Sequence, residues 1–219
     1  MNKFISTLLR ITLAPIVGLV FVKEVRGKNN LPKRNIILAS NHQSYLDIVL
    51  CGYIFVPRKY THIGQVDREN KGWSKIRDFI YSLAEVIPVN RKDDNSKKKA
   101  FEKAIEFLKN GYSLVIYPEG TRTRTGEVGK GKWGVAKFFL ETGVPIVPMG
   151  IKGAFELFPP GEKPKVKKSI RLNIGKPLFF KEEFERAIGL VRDSKEYEEI
   201  CIKITEKVME EIKKLTYED

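Results

Sequence analysis

Hydrophobic residues along this chain form one long run, then several short runs alternating with stretches of helical spacing. Residues 36–39, 113–117 and 146–150 are short, apolar and bounded by turn residues, the pattern of buried strands. Residues 170–174 alternate as a half-exposed strand would, whereas 86–89 are interrupted by Pro88, which confines them to an edge or strand end. Residues 96–109 place Ala100, Phe101, Ala104, Ile105 and Leu108 at helical spacing and stop at Asn110 and Gly111. A last helix is expected from near Asp193, with Glu196 completing a capping box. Tyr197, Ile200, Cys201, Ile204, Val208 and Ile212 would form its buried face. Strands separated by helices predict an α/β fold. The expected form is a single layered domain over residues 27–219, with a mixed central sheet flanked by helices.

The long run, residues 4–22, is bracketed by Lys3 and Lys23 and predicts an N-terminal apolar helical membrane-binding element within residues 1–26. Nineteen helical residues would reach about 28 Å, close to the hydrocarbon thickness of a bilayer. Arg10 lies inside it at a cost of ~2.5–3.5 kcal/mol for a full span, and Pro15 should bend or divide the helix. A bent element lying in one leaflet, with Arg10 reaching the headgroups, suits both residues better than a span. A signal peptide and a buried soluble helix are the other readings, although no A-x-A cleavage site follows.

Composition narrows the classes. Apolar residues make up 42% of 219, enough for a core without staples, so disorder and miniprotein scaffolds are excluded. Two cysteines, Cys51 and Cys201, make neither a disulfide framework nor a zinc site, and point to a reducing compartment. Lysine and arginine total 40 against 27 acids, a net charge of +13, which calls for a polyanionic partner. Between residues 161 and 181 seven cations (Lys163, Lys165, Lys167, Lys168, Arg171, Lys176 and Lys181) face one acid, Glu162. Such a stretch is most often a solvated face, and its charge also suits the lipid phosphates of an anionic membrane surface or an acidic carrier protein. Nucleic acid is the rival polyanion, but the chain lacks an RRM-like aromatic signature, zinc-finger spacing or a homeodomain pattern.

Candidate chemistry sits just past the strands. The run 36–39 leads into Asn41, His42, Gln43, Ser44, Tyr45, Leu46 and Asp47. His42 and Asp47 are five apart, about 140° around a continuous helix, so they meet only if His42 precedes a helix that Asp47 opens, with Asn41 or Ser44 as cap. A carboxylate holding one imidazole nitrogen leaves the other free as a base. The run 113–117 opens onto Pro118, Glu119, Gly120, Thr121, Arg122, Thr123 and Arg124. There glycine permits tight backbone geometry, and threonine and arginine supply donors for a phosphate. Glu119 would orient an arginine or accept from a substrate hydroxyl. Arg91, just past residues 86–89, is a second phosphate candidate. Residues 126–132 match GxxxxGK, but Trp133 replaces the Ser or Thr of a nucleotide P-loop, so they read as a flexible basic loop. Gly111, Tyr112, Ser113, Leu114 and Val115 lack the second glycine of a nucleophile elbow, and Cys51 reads as packing.

NHQSYLD, IPVNR, YPEGTR and VPIVP, in that order, resemble the four motifs of the glycerolipid acyltransferase family, and most of all its bacterial 1-acyl-sn-glycerol-3-phosphate acyltransferase type. The resemblance implies catalytic roles for His42 and Asp47, and acceptor-phosphate binding by Arg91, Glu119, Gly120 and Arg122. It implies an acyl-donor or structural role for Val144, Pro145, Ile146, Val147 and Pro148. The implied reaction converts lysophosphatidic acid to phosphatidic acid, with acyl-carrier protein or acyl-CoA as donor. It implies no metal, cofactor or nucleic acid, and a monotopic protein at the cytoplasmic face of the cell membrane. Glycerol-3-phosphate or another lysolipid is the alternative acceptor. The chain departs from the family at Ala84 and Glu85, where a glycine often stands, and at residues 64–67, where a lysine is usual.

Overall fold

In the computed structural model, residues 3–66, 81, 85–192 and 194–218 are described, with side chains from residue 11 onward. Seven strands build one sheet in the order β1-β7-β6-β2-β5-β3-β4. The central four are β2 (Ile37–Ser40), β5 (Ser113–Ile116), β6 (Ile146–Lys152) and β3 (Tyr60–Gln65). β2 pairs in parallel with both β5 and β6, Leu38 standing opposite Val115 and Val147. β4 (Ile87–Val89) closes one edge beside β3, where Pro88 is tolerated. The other edge is β1 (Val22–Arg26), parallel to β7 (Ile170–Ile174). β7 runs antiparallel to β6, so the sheet is mixed, as expected.

The pleat of β2 divides the core. Ile37 and Ala39 face α3 (Asp94–Lys109), α4 (Gly134–Thr142) and α6 (Lys195–Tyr217), while Ile36 and Leu38 face α2 (Asp47–Phe55). A short α5 (Lys181–Ala187) covers the start of α6. The end of α6 lies directly on β6, where a Cβ at Gly150 would run into the backbone of Leu215 and Thr216. Helix ends follow local chemistry. The Asp93 side chain caps α3, accepting from Asn95 N–H at 3.0 Å, so the helix begins at Asp94, two residues before the expected start. Ser194 caps α6, accepting from Tyr197 N–H at 3.3 Å, and Asp193 lies outside the described residues.

Two expectations change. Residues 170–174 are almost wholly buried rather than half-exposed, because Ile170, Leu172 and Ile174 enter the core on one face while Asn173, on the other, meets the end of α6 and donates to Leu215 C=O at 2.8 Å. The N-terminal run is one helix, α1 (Lys3–Phe21), continuous through Pro15 and leading straight into β1, so the proline does not divide it. The Arg10 side chain lies outside the described residues. α1 packs on α2, burying Ala14, while Ile11, Leu13, Ile16 and Leu19 remain exposed. Among the described residues no helix is long and apolar enough to cross a membrane.

Candidate active site

β2 delivers the chain at Ser40 to an irregular turn, and α2 begins at Asp47, so His42 and Asp47 stand on either side of it. Asp47 Oδ2 accepts from Gln43 N–H and Ser44 N–H, each at 2.8 Å, and lies 2.7 Å from His42 Nδ1. The carboxylate therefore organises the turn as well as the imidazole. With Oδ2 accepting, the proton sits on His42 Nδ1 and leaves Nε2 with a free lone pair. Asp47 is fully buried, whereas the His42 side chain keeps 16% exposure, enough for a substrate to reach it. Of the two expected caps only Ser44 serves: its Oγ accepts from Leu46 N–H at 3.2 Å where the turn enters α2. Asn41 instead exchanges side-chain bonds with Ile151, donating at 2.8 Å and accepting at 2.7 Å, which extends the β2–β6 pairing. Ser44 Oγ donates to Phe158 C=O at 2.8 Å.

Tyr117, at the end of β5, stacks on the His42 ring at 4.0 Å with 13° between planes. Its hydroxyl lies 3.5 Å from Cys51 Sγ. Burial raises the Tyr117 phenol far above its ordinary value and pushes the Cys51 thiol up to about 12. Both groups are neutral, so Cys51 is packing and not a nucleophile. Behind Tyr117 lies His62, on β3 and 2% exposed, with no protein hydrogen-bond partner for either ring nitrogen among the described residues. Burial first, and the charge of His42 second, lower its pKa to about 3. His62 is therefore a neutral imidazole at physiological pH.

A cavity of about 250 Å³ opens beside His42. Its wall includes Ile48, Ile63, Val86, Val115 and Tyr117, and Arg91, Gly120, Arg122 and Lys132 also line it. Arg91 Nη1 donates to Gly120 C=O at 2.6 Å, and Gly120 holds φ at +71°, a conformation costly for any residue with a Cβ. The Arg122 guanidinium lies 3.6 Å above the Tyr45 ring. Lys132 crosses Gly120 so closely that an added Cβ would stand 3.2 Å from its Cδ. The loop read as merely basic thus lends a third cation to the cavity.

Glu119 does not line the cavity. Its Oε1 accepts from His42 N–H at 2.9 Å and its Oε2 from Gly129 N–H at 3.0 Å. Burial raises its pKa, with the two backbone donors acting against that. Val144, Pro145, Ile146, Val147 and Pro148 also lie away from the cavity. Pro145 C=O accepts from Ile37 N–H at 2.9 Å, and Ile146, Val147 and Pro148 pair with β2. Of the departures from the family pattern, Asp67 and Ala84 lie outside the described residues, and Gly64 and Gln65 line the cavity. Glu85 takes φ +48°, the left-handed region that favours the glycine usual there.

His62, Tyr117, Tyr45 and Lys132 were not singled out by sequence. For His62 the available signal was spacing, since Tyr60 and His62 share one face of a strand. Among the described residues no group of His, Cys, Asp and Glu could hold a metal ion.

Comparison with known proteins adds an independent line. The chain is 30% identical over 164 residues to the chloroplastic 1-acyl-sn-glycerol-3-phosphate acyltransferase of Brassica napus, covering 71% of this chain and 45% of that protein. The 1-acyl-sn-glycerol-3-phosphate acyltransferase of Pseudomonas aeruginosa is 27% identical, over 76% of this chain and 63% of its own length. The chain thus spans about half the length of the plant relative. The crystal structure of the 1-acyl-sn-glycerophosphate acyltransferase PlsC from Thermotoga maritima matches with a TM-score of 0.65 at 25% identity, over 96% of this chain and 81% of that one. The acyltransferase family model matches residues 23–152, from within β1 to the end of β6 and through NHQSYLD, IPVNR, YPEGTR and VPIVP. The chain belongs to the acyltransferase family.

Proposed function

We propose that the protein transfers a fatty acyl group from an acyl thioester, carried by acyl-carrier protein or coenzyme A, to the sn-2 hydroxyl of 1-acyl-glycerol-3-phosphate. The product is phosphatidic acid. The observation that carries this reading is the His42–Asp47 pair, 2.7 Å apart, at a cavity that bears Arg91 and Arg122.

In this mechanism His42 Nε2 takes the proton of the sn-2 hydroxyl as its oxygen attacks the thioester carbonyl. Asp47, already hydrogen-bonded to Nδ1, stabilises the imidazolium that forms. Collapse of the tetrahedral intermediate breaks the C–S bond, and the departing thiolate takes back the proton from Nε2. General-base assistance of this kind contributes ~10²–10⁴ in rate. Arg91 and Arg122 grip the acceptor phosphate beside Gly120, and so hold the hydroxyl at attack distance. Glu119 acts on the protein itself, fixing the His42 turn against the loop that carries Lys132. Val144, Pro145, Ile146, Val147 and Pro148 serve as structural support for β2.

The same reading sets the protein in one leaflet at the cytoplasmic face of the cell membrane, through α1. Exposed Ile11, Leu13, Ile16 and Leu19 suit an apolar environment. β1 and β7 run opposite to β2, so α1 and the lysine-bearing segment 161–169 enter the sheet at the end where His42 leaves it. That arrangement favours an acceptor drawn from a membrane over a soluble one.

The test is purified protein given a panel of lysolipids and glycerol-3-phosphate with both donor types, read by mass spectrometry. Phosphatidic acid from lysophosphatidic acid is the expected product. Its absence, or acylation of glycerol-3-phosphate alone, refutes the acceptor assignment.

A further inference from the structure

Tyr45 occupies a position between Ser44 and Asp47 to which neither the motif pattern nor the chemistry above gives a task. It lines the cavity, is 46% exposed, and carries the Arg122 guanidinium 3.6 Å above its ring centroid. We propose that Tyr45 is a positioning residue that holds Arg122 in register with the acceptor phosphate. This rests on the phosphate-binding role given to Arg122 above.

An arginine on a loop has many rotamers, and each hydrogen bond it makes to a ligand must repay the freedom lost. Lying flat on an aromatic ring removes that freedom beforehand. The guanidinium uses only its π-face against the ring, so its N–H groups, which lie in its plane, stay available for a bidentate grip on phosphate. The ring is itself fixed. Phe158 packs against it at 5.1 Å between centroids and 40° between planes. The Phe158 carbonyl is tied by Ser44 Oγ at 2.8 Å, so the turn that carries His42 also carries the platform for Arg122. Base and phosphate grip are thereby set at one spacing by four consecutive residues, Ser44 to Asp47.

The experiment compares Tyr45→Leu, Tyr45→Phe and Tyr45→Trp, alone and in an Arg122→Ala background. The readouts are steady-state kinetics for lysophosphatidic acid and calorimetric binding of a short-chain lysophosphatidic acid. Tyr45→Leu should raise acceptor KM and weaken binding about 2–5-fold, with a smaller fall in kcat, as expected for an exposed cation–π contact. Tyr45→Phe and Tyr45→Trp should restore KM and binding, and Tyr45→Leu should add nothing once Arg122 is alanine. Tyr45→Leu matching wild type, Tyr45→Phe as poor as Tyr45→Leu, or additive effects with Arg122→Ala would each overturn the proposal. The binding arm needs no turnover. A wild-type protein that binds the lipid but does not acylate it refutes the reaction and leaves Tyr45 judged by affinity; one that does not bind it refutes both.

Discussion

His62 offers a prediction whose size follows from burial. The imidazole sits 2% exposed between Tyr60 and Tyr117, and burial lowers its pKa to about 3. In the unfolded chain it would titrate near ~6.5. A depressed folded pKa means that the stability it contributes is fully present above the unfolded value and is lost as pH falls from there toward 3. Between about pH 7.5 and about pH 5 the unfolded state gains nearly a full proton that folded His62 refuses, which costs roughly 2 kcal/mol. The chain has only two histidines, His42 and His62, so few other groups change charge in this window. His62→Phe keeps a planar ring against the two tyrosines and removes the titration. The assay is urea unfolding followed by tryptophan fluorescence, in one detergent at both pH values. Wild type should lose roughly 2 kcal/mol more than His62→Phe on acidification. Equal losses in the two proteins would refute the reasoning.

Other expectations follow from the site. His42→Ala should lower kcat by ~10²–10⁴ while acceptor affinity stays near wild type, and near-normal turnover would end its assignment as base. Arg122→Ala should raise acceptor KM by about 10–100-fold, since a charge-assisted hydrogen bond is worth about 1.5–3 kcal/mol, and an unchanged KM would remove it from the phosphate grip. Glu119→Gln turns an amide NH₂ toward one of two backbone donors. It should depress kcat more than it raises acceptor KM in steady-state assays; a pure KM effect would place Glu119 on the substrate instead. Deleting residues 1–22 should release the protein from sedimenting vesicles, and continued sedimentation would show that another surface anchors it.

Much of this architecture was legible because buried strands are written in apolar letters. β2, β5, β6 and β7 fall within two residues of their expected bounds, and β4 takes the edge that Pro88 demanded. β1 and β3 escaped notice for opposite reasons. Val22–Arg26 carries three charges because it is an edge strand, and Tyr60–Gln65 interleaves threonine, histidine, glycine and glutamine where its neighbours are aliphatic. The separation of His42 from Asp47 excluded a shared helix and required a turn, which is what forms. The hydrogen bonds inside that turn were not legible. Which of Asn41, Ser44 or Asp47 satisfies which backbone group depends on Ile151 and Phe158, more than a hundred residues away. Glu119 is the same problem in reverse. Its neighbours in sequence are the arginine and threonine of a ligand loop, yet its oxygens meet the main chain of His42 and Gly129.

That Glu119 holds His42 by its amide and not by its ring separates shape from chemistry at this position. A chain lacking the imidazole keeps the handle by which the turn is gripped, so its mouth should stay open, cationic and correctly dimensioned. An inert protein of that kind would be a tool for capture: incubated with natural lipid extracts, it would retain its preferred acceptor unreacted and allow that lipid to be identified directly.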